Sequence, residues 1–325
     1  MNKKYVWGCG KYGRLVYENL SLFGINYIDG FIDTYKKGSF LGLNIINPED
    51  IENDSFVIVA MNDSTEPEKY LQDKKWEPIK DYIVVNKLFV VNTSQDYADL
   101  YGNRVLGKIS NLRTELATAS LVSIGNNVRF GENVLLQCKG FSQIVIGDDC
   151  FIDDNVSLVS EDCSKIIIKE KSVINKYSAI AAKNDSTITL NQGNCIGTGS
   201  EIAVGGMSIL TIGDNTDFDR SLILRANKGT RVEIGEDCMF SYNVSIRGSQ
   251  GHEIIREGVT SSNKEHVIIG KHVWIGMNVS ILPGTIIGDG SVVGAASLLN
   301  KEYGSNKLIV GNPAICKKNE IEWKR

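Results

Sequence analysis

The sequence predicts a mainly β chain: a parallel solenoid of stacked three-sided coils, preceded by a small α/β domain. Three observations carry this. A large aliphatic residue recurs every 22 positions over much of the chain. Two further apolar columns follow it, six and twelve residues later. The first hundred residues obey a different rule, with short apolar strands separated by amphipathic runs.

The lead column is Ile124, Ile146, Ile168, Leu190, Ile212 and Ile234, resuming at Ile269 and Ile287. Six residues after each stand Phe130, Ile152, Ile174, Ile196, Phe218, Phe240, Ile275 and Val293. Twelve after stand Leu136, Leu158, Ile180, Ile202, Leu224, Ile246, Ile281 and Leu299. A fixed period of this kind marks a solenoid. Three inward residues six apart describe a triangular prism of about eight coils, each buried against its neighbours at the strand spacing of roughly 4.8 Å.

The columns between belong to the corners. Four after each lead residue the side chain is small or polar, as at Cys150, Ser172, Asn194, Thr216 and Cys238, which reads as inward packing. Directly after the lead stands Gly in six rows of eight (Gly125, Gly147, Gly213, Gly235, Gly270, Gly288), expected to supply the backbone angles of a sharp corner. Eighteen residues would close three six-residue sides, so the other four of each 22-residue coil are expected to bulge from one corner. The interval from Ile234 to Ile269 is 35, and its oversized loop holds Gly251-His252-Glu253. An interruption in a strict repeat is a place to look for function.

The N-terminal part reads as a βαβ opening. Lys4–Trp7 is a strand, Gly8-Cys9-Gly10-Lys11-Tyr12-Gly13 a glycine turn, and an amphipathic helix runs on to about Phe23. A second strand over Tyr27–Ile32 ends at Asp33, 20 residues past Gly13. Further strands are expected at Phe56–Ala60 and Tyr82–Val85, and helical stretches near Pro48–Asn53 and Glu66–Trp76. This is the context of a Rossmann-like nucleotide site, with Gly8, Gly10 and Gly13 admitting a phosphate to a helix start and Asp33 reaching a ribose hydroxyl. A Rossmann-like domain kept for packing is the other reading. Residues 1–95 are thus assigned to this domain and 121–325 to the solenoid. Residues 96–120 form a linker and capping segment, polar and mixed in charge, expected to hold one or two short helices.

Composition narrows the class. The chain has 325 residues, 42% apolar, with 35 Lys and Arg against 39 Asp and Glu. A net charge of −4 spread along the chain does not make a nucleic-acid surface. No apolar stretch reaches the roughly 18 residues of a transmembrane segment, and Met1–Gly8 has too short an apolar run for a signal peptide. A cytoplasmic location is expected, and the seven scattered Cys suit a reducing compartment.

Ile146-Gly-Asp-Asp-Cys-Phe151 and Ile234-Gly-Glu-Asp-Cys-Met239 read as hexapeptide repeats. From Ile212 to Lys318 the chain resembles the left-handed β-helix acyltransferases of the galactoside, maltose and polysaccharide O-acetyltransferase type. The residues that carry this are Val267-Ile-Ile-Gly-Lys-His-Val-Trp-Ile-Gly276, Ile281-Leu-Pro-Gly284, Val293-Gly-Ala-Ala-Ser297 and Gly311-Asn-Pro313. The resemblance implies left-handed winding, a homotrimer with active sites in the clefts between prisms, and acetyl-CoA as co-substrate. The N-terminal domain resembles the one preceding the β-helix in sugar N-acetyltransferases, whose catalytic His lies earlier in the solenoid than any His here.

The resemblance makes His252 the general base, a task suited to an imidazole titrating near neutrality. Asp219 falls where the family commonly has an Asn; it would orient His252 or bind a sugar hydroxyl, or be a solvated corner acid. Trp274 should point outward, lining the cleft or anchoring a trimer interface. Gly276, Ala295 and Ala296 are small enough for a pantetheine arm to pass. Asn300 and Lys301 lie further along, and Lys317 and Lys318 would meet CoA phosphates. His266 and His272 flank one strand start without a third ligand, so no metal is expected. The implied function is acetyl-CoA-dependent O-acetylation of a sugar in a bacterial surface polysaccharide (capsule or lipopolysaccharide) or its precursor. N-acetylation of a nucleotide-linked amino sugar is the rival within the class. A non-catalytic trimeric scaffold or ligand sensor is the rival outside it.

Overall fold

The computed structural model describes residues 3–18, 20, 25–61, 64–77, 80–84, 90–92, 96–99, 104–106, 113–117, 120–252, 255–256, 259–260 and 266–325. Two compact units divide the chain. The first is 1–109 with 116–123 and 139–142; the second is 110–115, 124–138 and 143–325.

In the first unit, β1 (Lys4–Trp7), α1 (Lys11–Glu18), β2 (Gly30–Ile32), β3 (Gly38–Phe40), β4 (Leu43–Ile46), β5 (Phe56–Val59), α2 (Thr65–Asp73) and β6 (Tyr82–Val84) follow in order. The sheet order is β3-β4-β2-β1-β5-β6. All pairs are parallel except the edge strand β3. Parallel strands covered on both faces read as continuous apolar runs. Hence Val6, Phe31, Val57, Ile58, Val59 and Val84 are wholly buried. The expected helix near Pro48 is a single 3₁₀ turn, Pro48–Asp50.

The linker holds strands where helices were expected. β7 (Val90–Asn92), β8 (Asp96–Asp99) and β9 (Arg104–Leu106) form an antiparallel meander. β9 then runs parallel to β11 (Leu121–Ile124), and β10 (Arg113–Ala117) lies between them in sequence. Among the described residues of 96–120 there is no helix. Polarity suggested a helix surface there, but an open sheet end is also satisfied by further pairing.

The second unit is a β-solenoid built on the three columns. Ile146, Ile168, Leu190, Ile212, Ile234, Ile269 and Ile287 pair successively in register on the first face. Ile152, Ile174, Ile196, Phe218, Phe240, Ile275 and Val293 do so on the second. Leu158, Ile180, Ile202, Leu224, Ile246, Ile281 and Leu299 form the third. A further coil follows, with Tyr303 continuing the first face and Ile309 the second. Its 16-residue step breaks the 22-residue period, so this coil leaves no mark in the spacing of the columns.

Two corner expectations change. The glycines after the lead residues do not hold the left-handed angles. Those fall three positions after the lead, at Asn127, Asp149, Lys171, Gly193, Asn215, Asp237, His272 and Gly290. Short polar side chains tolerate that conformation. The lead-plus-one glycines answer to stacking instead: a Cβ on Gly147 would lie 2.6 Å from the Glu170 nitrogen in the next coil. Nor do the four extra residues of the longer coils bulge. They lengthen the strands beside the third corner, as Ser157–Glu161 and Lys165–Ile168 against Ser280–Ile281 and Ile286–Ile287. The prism is widened there by another inward column of Ile166, Ile188, Leu210 and Val232. The oversized loop follows the third-face strand Ser245–Arg247, and in it Ile255–Arg256 pairs antiparallel with Val259–Thr260. Glu253 lies outside the described residues.

Candidate active site

Each coil runs first face, first corner, second face, second corner, third face, third corner. The candidate residues gather at two of these corners. Asp219 follows the second-face strand Asp217–Phe218 and stands at the second corner. Its N–H donates to the Phe240 carbonyl at 2.8 Å, and its Oδ1 accepts the Arg220 N–H at 2.7 Å. Asn175, Ser241 and Gly276 occupy the same corner in neighbouring coils, each donating its N–H to the coil above.

Beside this corner, Cys195, Asp217, Met239 and Trp274 form one outward column of the second face. A groove of about 630 Å³ opens along the two columns, lined by Asn175, Cys195, Asp217, Asp219, Arg220 and Ser241 among others. Asp219 and Arg220 are exposed within it. The Arg220 guanidinium sits 5.1 Å from the centre of the Tyr242 ring, which fixes a cation over an aromatic face. Arg220 leaves no mark in the sequence, because a corner Arg carries no repeat signal.

Trp274 points outward, 38% exposed. Its ring lies 6.0 Å from that of Trp323, so the chain itself supplies part of the cover this indole requires. Gly276 is small for a reason internal to the fold: a Cβ there would lie 2.7 Å from the Ala295 nitrogen. Ala295 and Ala296 are exposed at the second corner one coil on, and Ala296 has a left-handed φ of 57°.

The third corner holds the other group. His252 is exposed, five residues past the strand Ser245–Arg247. Asn300 and Lys301, also exposed, follow the third-face strand Leu298–Leu299 at the same corner of a later coil. The Lys301 ammonium lies 5.7 Å over the Tyr303 ring. Within one chain, then, Asp219 and His252 belong to different corners of the prism. Lys317 and Lys318 are exposed on the final strand, Ala314–Lys318, which pairs antiparallel with Leu308–Gly311 at the end of the second face.

The remaining histidines are engaged elsewhere. His266 Nδ1 accepts the Arg231 N–H at 3.0 Å. His272 Nδ1 is 2.6 Å from Asp237. The corner thiol of Cys238 is pushed up to about 11, mainly by burial, and so stays protonated and inert near neutrality.

In the first unit the glycine turn divides by role. Gly8 has φ 128°, and a Cβ on Gly13 would lie 1.8 Å from the Gly8 carbonyl oxygen, so both serve the turn itself. Nothing lies within 4 Å of a Cβ on Gly10. Asp33 accepts N–H groups of Cys9 at 3.4 Å, Tyr35 at 3.0 Å and Lys36 at 2.9 Å. Burial works to raise its carboxyl, but these bonds and the Lys36 charge outweigh it and hold Asp33 below the usual range. Asp33 therefore stabilises the turn from within the chain. A cavity of about 310 Å³ lies at the strand ends, lined by Trp7, Thr34, Asn47, Glu49, Glu66 and Tyr70. Two carboxylates among these residues disfavour a phosphate group there.

Residues 266–301 match the model of the bacterial transferase hexapeptide (six repeats) family, and this segment forms part of the β-solenoid described above. No curated protein matches in sequence. Among solved structures, the polysialic acid O-acetyltransferase OatWY is 23% identical, covers 66% of this chain and 91% of its own, and gives a TM-score of 0.49. The polySia-specific acetyltransferase NeuO is 22% identical, covers 68% and 85%, and scores 0.46. A maltose O-acetyltransferase from Clostridium difficile 630 is 25% identical, covers 47% and 71%, and scores 0.27. No helix among the described residues is long and apolar enough to cross a membrane.

Proposed function

We propose that this protein is an acetyl-CoA-dependent O-acetyltransferase that works as a homotrimer on a sugar hydroxyl of a bacterial surface polysaccharide or its precursor. The observation that carries the reading is the two-corner arrangement of a hexapeptide-repeat transferase prism. Asp219, Trp274, Gly276 and Ala295 flank the second face, whereas His252 projects from the third corner. In the proposed trimer the third corner of one prism packs against the second face of the next. The base of one copy then faces the groove of its neighbour.

In that cleft His252 takes the proton of the acceptor hydroxyl as its oxygen forms a bond to the thioester carbonyl carbon. Collapse of the tetrahedral adduct breaks the carbon–sulfur bond, and the CoA thiolate leaves with the proton held by His252. Backbone N–H groups at the cleft stabilise the oxyanion. Trp274, Gly276, Ala295 and Ala296 line the path of the pantetheine, with Asn300, Lys301, Lys317 and Lys318 towards the CoA phosphates. Asp219 binds or orients the acceptor.

One observation favours the second reading, N-acetylation of a nucleotide-linked amino sugar. Gly10 is open at the carboxyl end of a parallel sheet, next to the start of α1. Acetyl transfer from radiolabelled acetyl-CoA to neutral and acidic glycans, and separately to nucleotide amino sugars, decides between them. Label that survives hydroxylamine treatment marks an amide, because an ester does not. Absence of transfer to every acceptor, together with no CoA binding by calorimetry, would leave the scaffold reading.

A further inference from the structure

Beyond the last strand, residues 321–325 fold back onto the second face. The Ile321 N–H donates to the Asn306 carbonyl at 3.1 Å. Arg325 then spreads over two coils. Its Nη1 donates to Asp217 at 2.6 Å and its Nε to Asp237 at 2.9 Å. Its Nη2 donates to the carbonyls of Asn215 at 2.9 Å and Cys238 at 3.0 Å. The Trp323 indole N–H donates to the His272 carbonyl at 2.9 Å. Its ring stacks on the imidazole at 4.0 Å and 10°.

The two nitrogens of His272 define its charge state. Nδ1 is 2.6 Å from the Asp237 carboxylate and Nε2 is 3.1 Å from the Trp323 carbonyl. Both partners are oxygens that only accept. A neutral imidazole has one N–H and would turn a lone pair on the other oxygen; an imidazolium donates to both. The indole face opposite adds a cation–π contact. Other charges on the elements packed here include Arg325, beyond Asp237, the Lys271–Glu236 pair at 3.1 Å on the flanking positions, and Glu322 and Lys324 on either side of Trp323 in sequence. The hydrogen bond to Asp237 and that to the Trp323 carbonyl raise His272 above 6.5, against burial and the Arg325 charge.

The segment also touches the groove. Asp217 lines it, and Arg325 holds the Asp217 carboxylate. Met239 lines it too and pairs with Trp274, whose ring neighbours Trp323.

We propose that residues 321–325 are a latch held shut by an imidazolium at His272, and that Arg325 and Trp323 are positioning residues which set the charge of the groove and brace Trp274. The latch stands independently of the acyl-transfer reading; only the part that the groove and Trp274 play in transfer rests on it. The latch is tight below the folded pKa of His272 and loosens as pH rises through it.

The difference in fluorescence between the wild-type protein and Trp323→Phe follows Trp323, together with its effect on the neighbouring Trp274, from pH 5.5 to 9. Side-chain NMR of ¹³C-labelled histidine follows His272 in the same samples. A titrating Trp323 signal is expected, with a midpoint above 6.5 that matches His272 and falls in Asp237→Asn. A flat Trp323 signal, or a His272 midpoint unmoved by Asp237→Asn, would overturn the latch. Neither readout requires transfer activity. Alkylation of Cys195, read on its peptide, reports the groove. Loss of Arg325 leaves Asp217 uncompensated, so in Arg325→Gln the ratio of iodoacetate to iodoacetamide rates should fall severalfold. The ratio cancels changes in access. An unchanged ratio would refute control of the groove by Arg325.

Discussion

Among single residues, His252 has the clearest assigned task, and its replacement the clearest consequence. His252→Ala is expected to lower acetyl transfer by about 10²–10⁴-fold, the contribution of a positioned base. CoA affinity by calorimetry should be kept, because the pantetheine path runs along the second face. Turnover near the wild-type level would remove His252 from the mechanism. Asp219 gives the companion result. Asn keeps a hydrogen-bonding corner side chain, so Asp219→Asn should retain most activity, whereas Asp219→Ala should not. The Arg220 N–H bond that Asp219 accepts, at 2.7 Å, is available to the Asn oxygen as well.

The coil is the element on which stability rests. Ile196 is fully buried, with Ile174 and Phe218 above and below it in register. Ile196→Ala should cost about 2–5 kcal/mol in urea denaturation. Ile196→Asp should yield no soluble, cooperatively folding protein, because a lone carboxylate inside the prism has no partner. Gly10→Val is the opposite case in the first unit. Open space around its Cβ means that the thermal midpoint should hardly move, while any nucleotide-sugar binding at that turn should be lost. A large drop in midpoint would show that the turn is packed after all.

These elements also show what the sequence discloses. Inward columns repeat because each coil sees the same environment, so Ile146 through Ile287 could be read directly from spacing. The last coil could not, since Tyr303 arrives after 16 residues. Corner roles are not legible in the sequence, because a stacking glycine and a left-handed glycine look alike in one dimension; only backbone angles and contacts separate Gly147 from Gly193. His252, Asp219 and Trp274 are candidates because they stand in or beside segments that resemble a known family. The Asp217–Arg325 and His272–Trp323 pairs left no such trace, being 108 and 51 residues apart with no periodic relation.

For the whole molecule, the question is whether one chain can hold a complete site. Asp219 stands at the second corner and His252 at the third, at opposite ends of a flat face. Met277 is 40% exposed and Ile223 37% exposed, apolar surface that association would cover. Light scattering should therefore report a trimer at micromolar concentration. Subunit mixing goes further, because it asks where the two residues meet. Equal amounts of His252→Ala and Asp219→Ala protein, unfolded together and refolded, assort into mixed trimers. A cleft is intact when its base comes from an Asp219→Ala chain and its groove from a His252→Ala chain. In random assortment that describes about one cleft in four. Recovery of about a quarter of the wild-type activity, well above either variant alone, is the expected result. If base and acid served the same site from within one chain, every cleft would lack one of them and mixing would recover nothing.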